Sequence, residues 1–513
     1  MGFDPSGDRT ISKSLAPVFT PLEGNPQLPQ TTTQLFSNFI CNVLKDGRCL
    51  GGKEAAREAL LQTGRAVYEA GWKPCTVFTE DHWDLISGLL MKILEMDEGA
   101  ESCVYTLHRL AFREYLAALG QYLTSDPSEV AALLDQASSD CSFHPFIHFL
   151  IGLSAHMSRW LEDLVGPLCP ETSSQVSAWL RKELETRSHH LDDVSSKRDL
   201  MDLFHSLSES QDVELMRQTM RSIEALNFGD TYPEEALSLS VVDCFVLARI
   251  MEPCDIVGEM YFSNCSVQAE GIQRLVPMLH KCTTLNLWGN NLGDSGVKRL
   301  SAALRNPECH IQKLCLSSNG LTVACIEDLV SALSVNQSLT ELFLDYNNLG
   351  DSGVKGLAVA LRNSECKIQN LGLEGNNLTA DCIEDLVSAL GTNLSLTELN
   401  LNKNNLGDLG MKQLSVALRN PECKIQKLNL DDIGLTDVCI EDLKSALSSN
   451  CSLAHLLLGM NSFTDVSVPL LSALLLSSTY LERIWLSEHK FSAEGVKKLK
   501  SLRKSRQGLR VYV

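Results

Sequence analysis

The sequence lacks the long hydrophobic runs that membrane proteins need. No apolar segment approaches the roughly 18 consecutive residues of a membrane-spanning helix. Near the amino terminus, Asp4, Asp8 and several prolines stand where a secretory signal would require an apolar stretch. We therefore expect a cytoplasmic protein that does not associate with membranes.

Positive charge is scarce as well. The chain has 44 Lys and Arg against 64 Asp and Glu, which gives a net charge of -20. Residues 1–250 carry -16 of this charge, and residues 251–513 carry only -4. Such a chain repels the phosphates of nucleic acids, so we expect no nucleic-acid partner.

Several catalytic and metal-binding signatures are also missing. The 18 cysteines form no C-x-x-C pair, and a buried structural role in a reducing compartment explains them best. No Gly-x-Ser-x-Gly segment indicates a nucleophile. His144 and His148 have the spacing of metal ligands on a helix, but Pro145 lies between them and no third ligand accompanies them. We expect no enzyme activity and no metal site.

One segment partly matches a phosphate-binding loop, namely Gly47-x-x-x-x-Gly52-Lys53. It departs from that motif because Glu54 stands where a Ser or Thr hydroxyl should meet magnesium. The preceding residues also have a helical pattern, whereas the motif requires a strand. We therefore expect no nucleotide or other cofactor at this position.

What the chain does contain is a repeat. GDSGVKRLSAALRNPEC from Gly293 recurs in closely similar form from Gly350 and Gly407, each time 57 residues later. A second set, which begins with TVACIEDLVSAL at Thr322, recurs at the same offset. The unit is thus a pair of modules of 28 and 29 residues, and such periods are typical of solenoids, whose repeats bury their apolar faces against one another.

Each module has the pattern Leu-x-x-Leu-x-Leu-x-x-Asn-x-Leu followed by a helical segment. The Leu-x-Leu alternation predicts a short strand with its leucines buried, and the Asn is placed to satisfy backbone groups of the turn. The pattern is that of a leucine-rich repeat, so we expect an α/β horseshoe with parallel strands inside and helices outside. We predict nine modules over residues 251–513, of which the first and last are degenerate caps. The Asn position is occupied by Cys265, Asn290, Asn319, Asn347, Asn376, Asn404, Ile433, Asn461 and His489, and the sequence does not explain Ile433.

The alternating modules resemble those of ribonuclease inhibitor and of the NOD-like receptors. The segments LPQTTTQLFSNFI from Leu28, YTLHRLAFREYLAAL from Tyr105 and FIHFLIGLS from Phe146 are similar to the winged-helix and second helical regions of NOD-like receptors. Five prolines within residues 1–30 predict a linker or tail there, and the repeats begin at 251. Between them, the resemblance implies a winged-helix-like region at 31–125 and a helical region at 126–250. It also implies that the chain lacks the nucleotide-binding core of the NACHT domain.

Aligning Phe112, Glu114, Tyr115 and Leu116 with the family's hallmark segment places Arg109 at the family's nucleotide-sensing His position. His108 is adjacent, but one helical step turns a side chain by about 100°. For the binding surface we look instead to the inner wall of the horseshoe, where residues beside the strand leucines face solvent. Exposed aromatic and acidic side chains there are typical of protein interfaces. The candidate partner-binding residues are Trp288, Phe343, Asp345, Tyr346, Glu374, Glu398, Asp431 and Trp485.

The resemblance implies a non-catalytic, cytosolic innate immune receptor or regulator that binds protein or ligand partners through its repeats and associates with other receptor chains. Two alternatives stay open on the sequence. The same horseshoe is used by ribonuclease inhibitor to block an enzyme, although the small net charge of the repeats fits a basic target poorly. The chain could also be a fragment of a longer receptor that binds ATP.

Overall fold

The computed structural model describes residues 31–45, 52–69, 110–124, 128–137, 144–154, 159–506 and 508–513. The chain divides into two compact units, with unit 1 comprising Met1–Ser222 and unit 2 comprising Ile223–Val513. The predicted linker at 1–30, His108, Arg109 and most of the Gly47 loop lie outside the described residues.

The described part of unit 1 is helical. One contact shows how its helices pack: a Cβ added to Gly64 would lie 2.6 Å from the backbone oxygen of Leu116 and 2.8 Å from the Cα of Gly120. Two glycines therefore let two helices approach more closely than larger residues would permit. The helices are α1 (Thr32–Lys45), α2 (Gly52–Glu69), α3 (Leu110–Leu123), α4 (Ser128–Ala137), α5 (His144–Leu153), α6 (Arg159–Val165), α7 (Pro170–Ser188), α8 (Val194–Ser210) and α9 (Val213–Arg221).

Helix α3 contains the hallmark-like segment, and its side chains form the centre of the unit 1 core. Leu116 and Tyr115 are completely buried, and the Tyr115 hydroxyl lies 2.9 Å from Ser37 Oγ. Tyr122 is also buried and donates a hydrogen bond to the Leu150 carbonyl at 2.8 Å. Buried tyrosines thus retain hydrogen bonds, as their desolvated hydroxyls require.

Unit 2 is a single parallel sheet in which eleven strands follow one another in chain order. Helices connect the strands, which confirms the predicted α/β leucine-rich-repeat horseshoe. The strands are β1 (Ala225–Asn227), β2 (Val257–Tyr261), β3 (Cys282–Asn286), β4 (Lys313–Cys315), β5 (Glu341–Phe343), β6 (Asn370–Gly372), β7 (Glu398–Asn400), β8 (Lys427–Asn429), β9 (His455–Leu457), β10 (Arg483–Trp485) and β11 (Arg510–Tyr512).

The helices of unit 2 bury one apolar face each. In α12, for example, Val297, Leu300 and Leu304 are buried at the spacing of three and four residues that places them on one face. The helices are α10 (Val241–Met251), α11 (Gln268–Leu279), α12 (Gly293–Leu304), α13 (Ile326–Leu333), α14 (Gly350–Leu361), α15 (Ile383–Leu390), α16 (Gly407–Arg419), α17 (Ile440–Ser449), α18 (Val468–Ser477) and α19 (Ala493–Ser505).

The asparagines form the predicted ladder. Asn319 Nδ2 donates to the carbonyl of Leu287 at 2.8 Å, and the backbone amide of Asn319 donates to Asn347 Oδ1 at 3.0 Å. Asn376 repeats this arrangement, donating to the Leu344 carbonyl at 3.0 Å and through its backbone amide to Asn404 Oδ1 at 3.0 Å. Each asparagine therefore satisfies backbone groups in its own turn and in the neighbouring one.

A second ladder of side chains was not anticipated. Asp294 accepts hydrogen bonds from the backbone amide of Thr322 at 2.8 Å and from its hydroxyl at 2.7 Å. The same pair recurs at Asp351 and Thr379, and again further along the chain. The signal was present in the sequence, because both residues recur at the offset of 57.

The parallel sheet has one further strand at each end of the nine predicted modules. The nine ladder positions follow strands β2 to β10, while β1 pairs with β2 and β11 pairs with β10 in the same sheet. Strand β1 lies within residues 126–250, where the sequence analysis placed only helices. It carries a single buried residue, Leu226, so its alternation is too short to be recognised. The predicted domain bounds and the count of nine modules stay predictions.

The irregular ladder position Ile433 is fully buried. Its backbone amide donates to Asn461 Oδ1 at 3.2 Å, and its carbonyl accepts from Gly407 at 2.8 Å. Among the described residues, however, no side-chain oxygen accepts from the backbone amide of Asn404, which an asparagine at 433 would face. At position 433, therefore, one hydrogen bond of the asparagine ladder is missing and a buried isoleucine side chain packs in the core instead.

Candidate functional site

The strand register aligns the side chains that face away from the buried leucines into rows on the inner face of unit 2. The first row precedes the central leucine of each strand, the second row follows it, and a third row lies just beyond the strand. Glu341, Glu398 and Lys427 belong to the first row, and Phe343 and Trp485 belong to the second.

A hydrogen-bonded network occupies the middle of this face. The Tyr346 hydroxyl donates to Glu374 Oε1, and Lys403 Nζ lies 2.6 Å from the Tyr346 hydroxyl and 2.9 Å from Glu374 Oε1. The Lys403 ammonium also lies 5.1 Å from the centre of the Tyr346 ring, within the range of a cation–π interaction. Asn400 donates to the other carboxylate oxygen at 3.1 Å. The network therefore holds four polar side chains from successive modules in fixed positions.

Burial alone would raise the pKa of Glu374, but the hydrogen bonds from Tyr346, Lys403 and Asn400 outweigh burial and lower it. Glu374 is thus a carboxylate at neutral pH. Tyr346 remains 46% exposed despite its contacts. The network thus places a phenol ring and two opposite charges at the surface of the inner face.

Asp345 lies beneath this network. Its carboxylate accepts from the backbone amide of Glu374 at 2.8 Å and from Ser317 Oγ at 3.2 Å. A Cβ on Gly372 would lie only 2.5 Å from an Asp345 oxygen, so the glycine leaves the space that the carboxylate fills. Burial raises the pKa of Asp345 above its usual range.

The other predicted residues lie on either side of the network. Phe343 lies under the Lys313 ammonium, 5.4 Å from the ring centre, and Lys313 forms an ion pair with Glu341 at 3.1 Å. Trp288 is half-buried two modules earlier. Glu398 forms an ion pair with Lys427 at 3.1 Å, and Asp431 accepts from the backbone amide of Gly459 at 2.5 Å.

Trp485 belongs to a separate aromatic cluster at the carboxy-terminal end. Its ring stacks on Tyr512 with centres 5.0 Å apart, and His455 meets its edge at 6.2 Å. The structure therefore joins Asp345, Tyr346 and Glu374 but separates them from Trp288 and Trp485. Sequence reasoning missed Lys403, Asn400, Gly372 and Tyr512, which could have been found by aligning the modules and following each row.

A cavity of about 310 Å³ lies within unit 1. Glu114 on α3 contributes to its wall and is only 4% exposed, and its carboxylate has no hydrogen-bond partner among the described residues. Burial raises the pKa of Glu114 to about 7, although the neighbouring Arg113 opposes the shift. Further wall residues are His148, Trp179, Arg187, Asp202 and His205.

The two sequence features that resembled metal or phosphate sites are placed as follows. His148 Nε2 lies 3.2 Å from Glu209 Oε1, and the side chain of His144 lies outside the described residues. Lys53 is exposed in the first turn of α2. Where the chain is described, no group of three or more His, Cys, Asp or Glu side chains could hold a metal ion, and no helix is long and apolar enough to cross a membrane.

Comparison with known families supports both units. The sequence model of the NLRC4 helical domain HD2 matches residues 109–218, and a leucine-rich-repeat model matches residues 283–301, 335–358 and 392–415. The first match begins in the segment that resembles a winged helix and continues through α3 to α9.

Individual proteins match over longer stretches. The chain is 37% identical over 507 residues to NACHT, LRR and PYD domains-containing protein 3 of Mus musculus, covering 85% of this chain and 48% of that protein. It is 31% identical over 471 residues to protein 14 of the same name in Homo sapiens, covering 84% of this chain and 42% of that protein. The chain thus spans less than half the length of these relatives. Over most of its own length the chain is homologous to NOD-like receptors. The helical-domain match followed by the repeat matches is consistent with the carboxy-terminal portion of such receptors.

Proposed function

We propose that this protein is a non-catalytic receptor-like or regulatory component of cytosolic innate immunity, which recognises a protein or ligand through the inner face of its repeats. The relatives that it matches carry NACHT, LRR and PYD domains in their names. Leucine-rich repeats present an extended concave surface suited to binding. Association with other receptor chains remains part of this proposal.

The observation that carries the proposal is the ordered network of Tyr346, Glu374 and Lys403. Immobilising a flexible lysine or glutamate at an interface costs about 0.5–1.5 kcal/mol of conformational free energy for each side chain. Here the hydrogen bonds within the network, at 2.6 and 2.9 Å, have already fixed the lysine and the glutamate. A partner would lose less entropy on binding here than at an ordinary surface.

The inner-face aromatics supply the apolar part of the surface. We expect that changing Trp288, Phe343 and Trp485 together to alanine removes partners captured from cytosol, because truncated hot-spot residues typically cost about 2 kcal/mol or more, roughly thirtyfold in affinity. The measurement is quantitative affinity purification with the wild-type and variant chains.

The chain offers a matched control on its helices. Val359, Val416 and Leu476 are 54%, 53% and 47% exposed on α14, α16 and α18, so their replacement by alanine removes apolar surface away from the inner face. Capture should survive in this variant. If the inner-face variant folds normally and keeps every partner, the recognition surface lies elsewhere.

The alternative function as an enzyme inhibitor receives less support. An inhibitor that blocks a basic enzyme needs an acidic inner face, but Lys427, Arg483 and Arg510 place positive charge at its carboxy-terminal end. A basic target would be repelled from this end at short range.

A further inference from the structure

The carboxy-terminal end of unit 2 has a charge opposite to that of the chain. Residues 481–513 contain nine Lys and Arg but three Asp and Glu, whereas the whole chain has a net charge of -20. Some of these cations lie on α19, which follows the last full module. Others lie on the inner face, where the strand register brings them together.

Four consecutive strands place a basic side chain at the same register position. Lys427 pairs with His455, His455 with Arg483, and Arg483 with Arg510 across β8 to β11. We call these four residues the terminal basic row. Neighbouring strands are about 4.8 Å apart, so the row spans roughly 14 Å.

The two ends of the terminal basic row differ in their partners. Lys427 forms an ion pair with Glu398 at 3.1 Å, and His455 Nε2 lies 3.9 Å from Glu482. The guanidinium groups of Arg483 and Arg510 have no ion-pair or hydrogen-bond partner within the described chain. Arginine presents a fixed fork of donors that suits a carboxylate, so these two groups are free to receive one each.

Aromatic rings lie beside these arginines. Trp485 and Tyr512 are two residues after Arg483 and Arg510 in the same strands, and alternate residues of a strand share a face. The two rings are stacked at an angle of 13°, and Tyr512 is 40% exposed. Leu457 occupies the same row on β9. An apolar strip therefore runs parallel to the terminal basic row.

We propose that the terminal basic row and the aromatic pair bind an extended acidic peptide segment of a partner protein. Side chains on one side of an extended peptide recur about every 6.8 Å, so two carboxylates two residues apart can reach Arg483 and Arg510. An aromatic or aliphatic side chain between them would pack on Trp485 and Tyr512. This inference rests on the proposed function of the inner face and names the chemistry of its partner.

A peptide fits this surface better than a nucleic acid does. Glu398 lies on β7, one strand before the terminal basic row, Asp431 follows Lys427 in the module of β8, and Glu374 lies one module before Glu398. A long polyanion that continued along the face would meet these carboxylates, whereas a short acidic segment ends before them. The net charge of -20 also repels a long polyanion at longer range.

The test uses the whole chain and a short fluorescein-labelled peptide built on the repeat Glu-Ser-Glu-Phe. Fluorescence anisotropy should show saturable binding that weakens about tenfold or more in the Arg483→Glu/Arg510→Glu variant. The same peptide with Gln in place of Glu should bind at least about tenfold more weakly to the wild type. Melting of the variant should match that of the wild type, because Arg510 is exposed and Arg483 only half-buried.

The matched control is Arg503→Glu/Lys504→Glu, which changes the net charge equally on the exposed side of α19. Equal loss of peptide binding in both variants would show that the net charge of the chain, and not the terminal basic row, causes the loss, and would overturn the proposal. Stronger binding of an oligothymidylate of matched length, or of phosphatidylserine vesicles, would also overturn it. If the peptide does not bind while the triple alanine variant of the inner face loses its cellular partners, this inference fails and the proposed function stands.

Discussion

The two units stabilise their buried polar groups in different ways. In unit 2, buried asparagines such as Asn319 and Asn376 bond to backbone groups in adjacent modules, and the arrangement repeats along the chain. In unit 1, Glu209 accepts hydrogen bonds from the backbone amides of Thr32 and Thr33, about 177 residues away in sequence. The hydrogen bonds of the buried asparagines recur from module to module, whereas those of Glu209 occur at a single place in the fold.

This difference has consequences for electrostatics. An asparagine ladder is neutral, so its stability should not depend on pH. Unit 1 buries two carboxyl groups whose pKa values shift in opposite directions. Glu209 has hydrogen-bond and ion-pair partners, which lower its pKa, whereas Glu114 has none among the described residues and burial raises its pKa. We therefore expect Glu209 and Glu114 to make the stability of unit 1 depend on pH, whereas the asparagine ladder of unit 2 adds no such dependence. The predictions below test this difference.

The largest expected effect is a cavity in the repeat core. Leu373 is completely buried, so Leu373→Ala should lower the free energy of unfolding of unit 2 by roughly 2–5 kcal/mol. Leu394 is 66% exposed, and Leu394→Ala serves as the control with little effect. Hydrogen exchange measured by mass spectrometry on unit 2 peptides separates this loss from changes in unit 1. A cost below about 1 kcal/mol would place Leu373 outside the core.

The next effect concerns Glu209. Burial would raise its pKa, but hydrogen bonds from His148, Thr33 and Thr32, together with the charge of His148, lower it to about 2. The stabilisation is thus present above the unfolded pKa of about 4.5 and is lost as the pH falls towards 2. Glu209→Gln should destabilise unit 1 by roughly 2–3 kcal/mol at pH 7 and by much less near pH 3. Exchange protection of α1 and α8 at both pH values measures this, and a difference independent of pH would contradict it.

Glu114 should behave in the opposite way. Its folded pKa of about 7 exceeds the unfolded value, so unit 1 loses stability as the pH rises from about 4.5 to 7. Glu114→Gln should therefore stabilise unit 1 by about 1–2 kcal/mol above pH 7 and change little at pH 4.5. Exchange protection of α3 provides the measurement. Destabilisation by this variant at pH 7.5 would show that the carboxylate has a partner when charged.

The smallest expected effect restores the ladder in unit 2. Ile433→Asn should return the side-chain acceptor that the amide of Asn404 lacks, and a hydrogen bond of this kind contributes about 1 kcal/mol net. Because the ladder is neutral, we expect the gain to be the same at pH 5 and pH 8. An unchanged or lower unfolding midpoint would show that the packing of the fully buried isoleucine is worth more than the link.

The candidate site also combines features that the repeat fixes with contacts that it does not fix. The positions of the eight candidate residues beside the strands could be predicted because the repeat fixes them, but their contacts could not. Lys403 meets Tyr346 across 57 residues, two modules away. The Tyr346 ring lies over Gly375, where an added Cβ would be 3.0 Å from Tyr346 Cδ1, so the glycine leaves room for the ring between the two modules. Side-chain reach depends on rotamers and neighbours, which a repeat pattern does not contain.

The amino-acid sequence alone determined the period, the strand and helix of each module, the buried leucines and the asparagine ladder, because all of these depend on residues close together in the chain. Tertiary structure decided which inner-face side chains meet, where the terminal basic row forms, and why Glu209 is paired while Glu114 is not. Those properties depend on strand register and on contacts between residues distant in sequence. A local pattern sets which face a side chain occupies, but only the folded chain sets its partner.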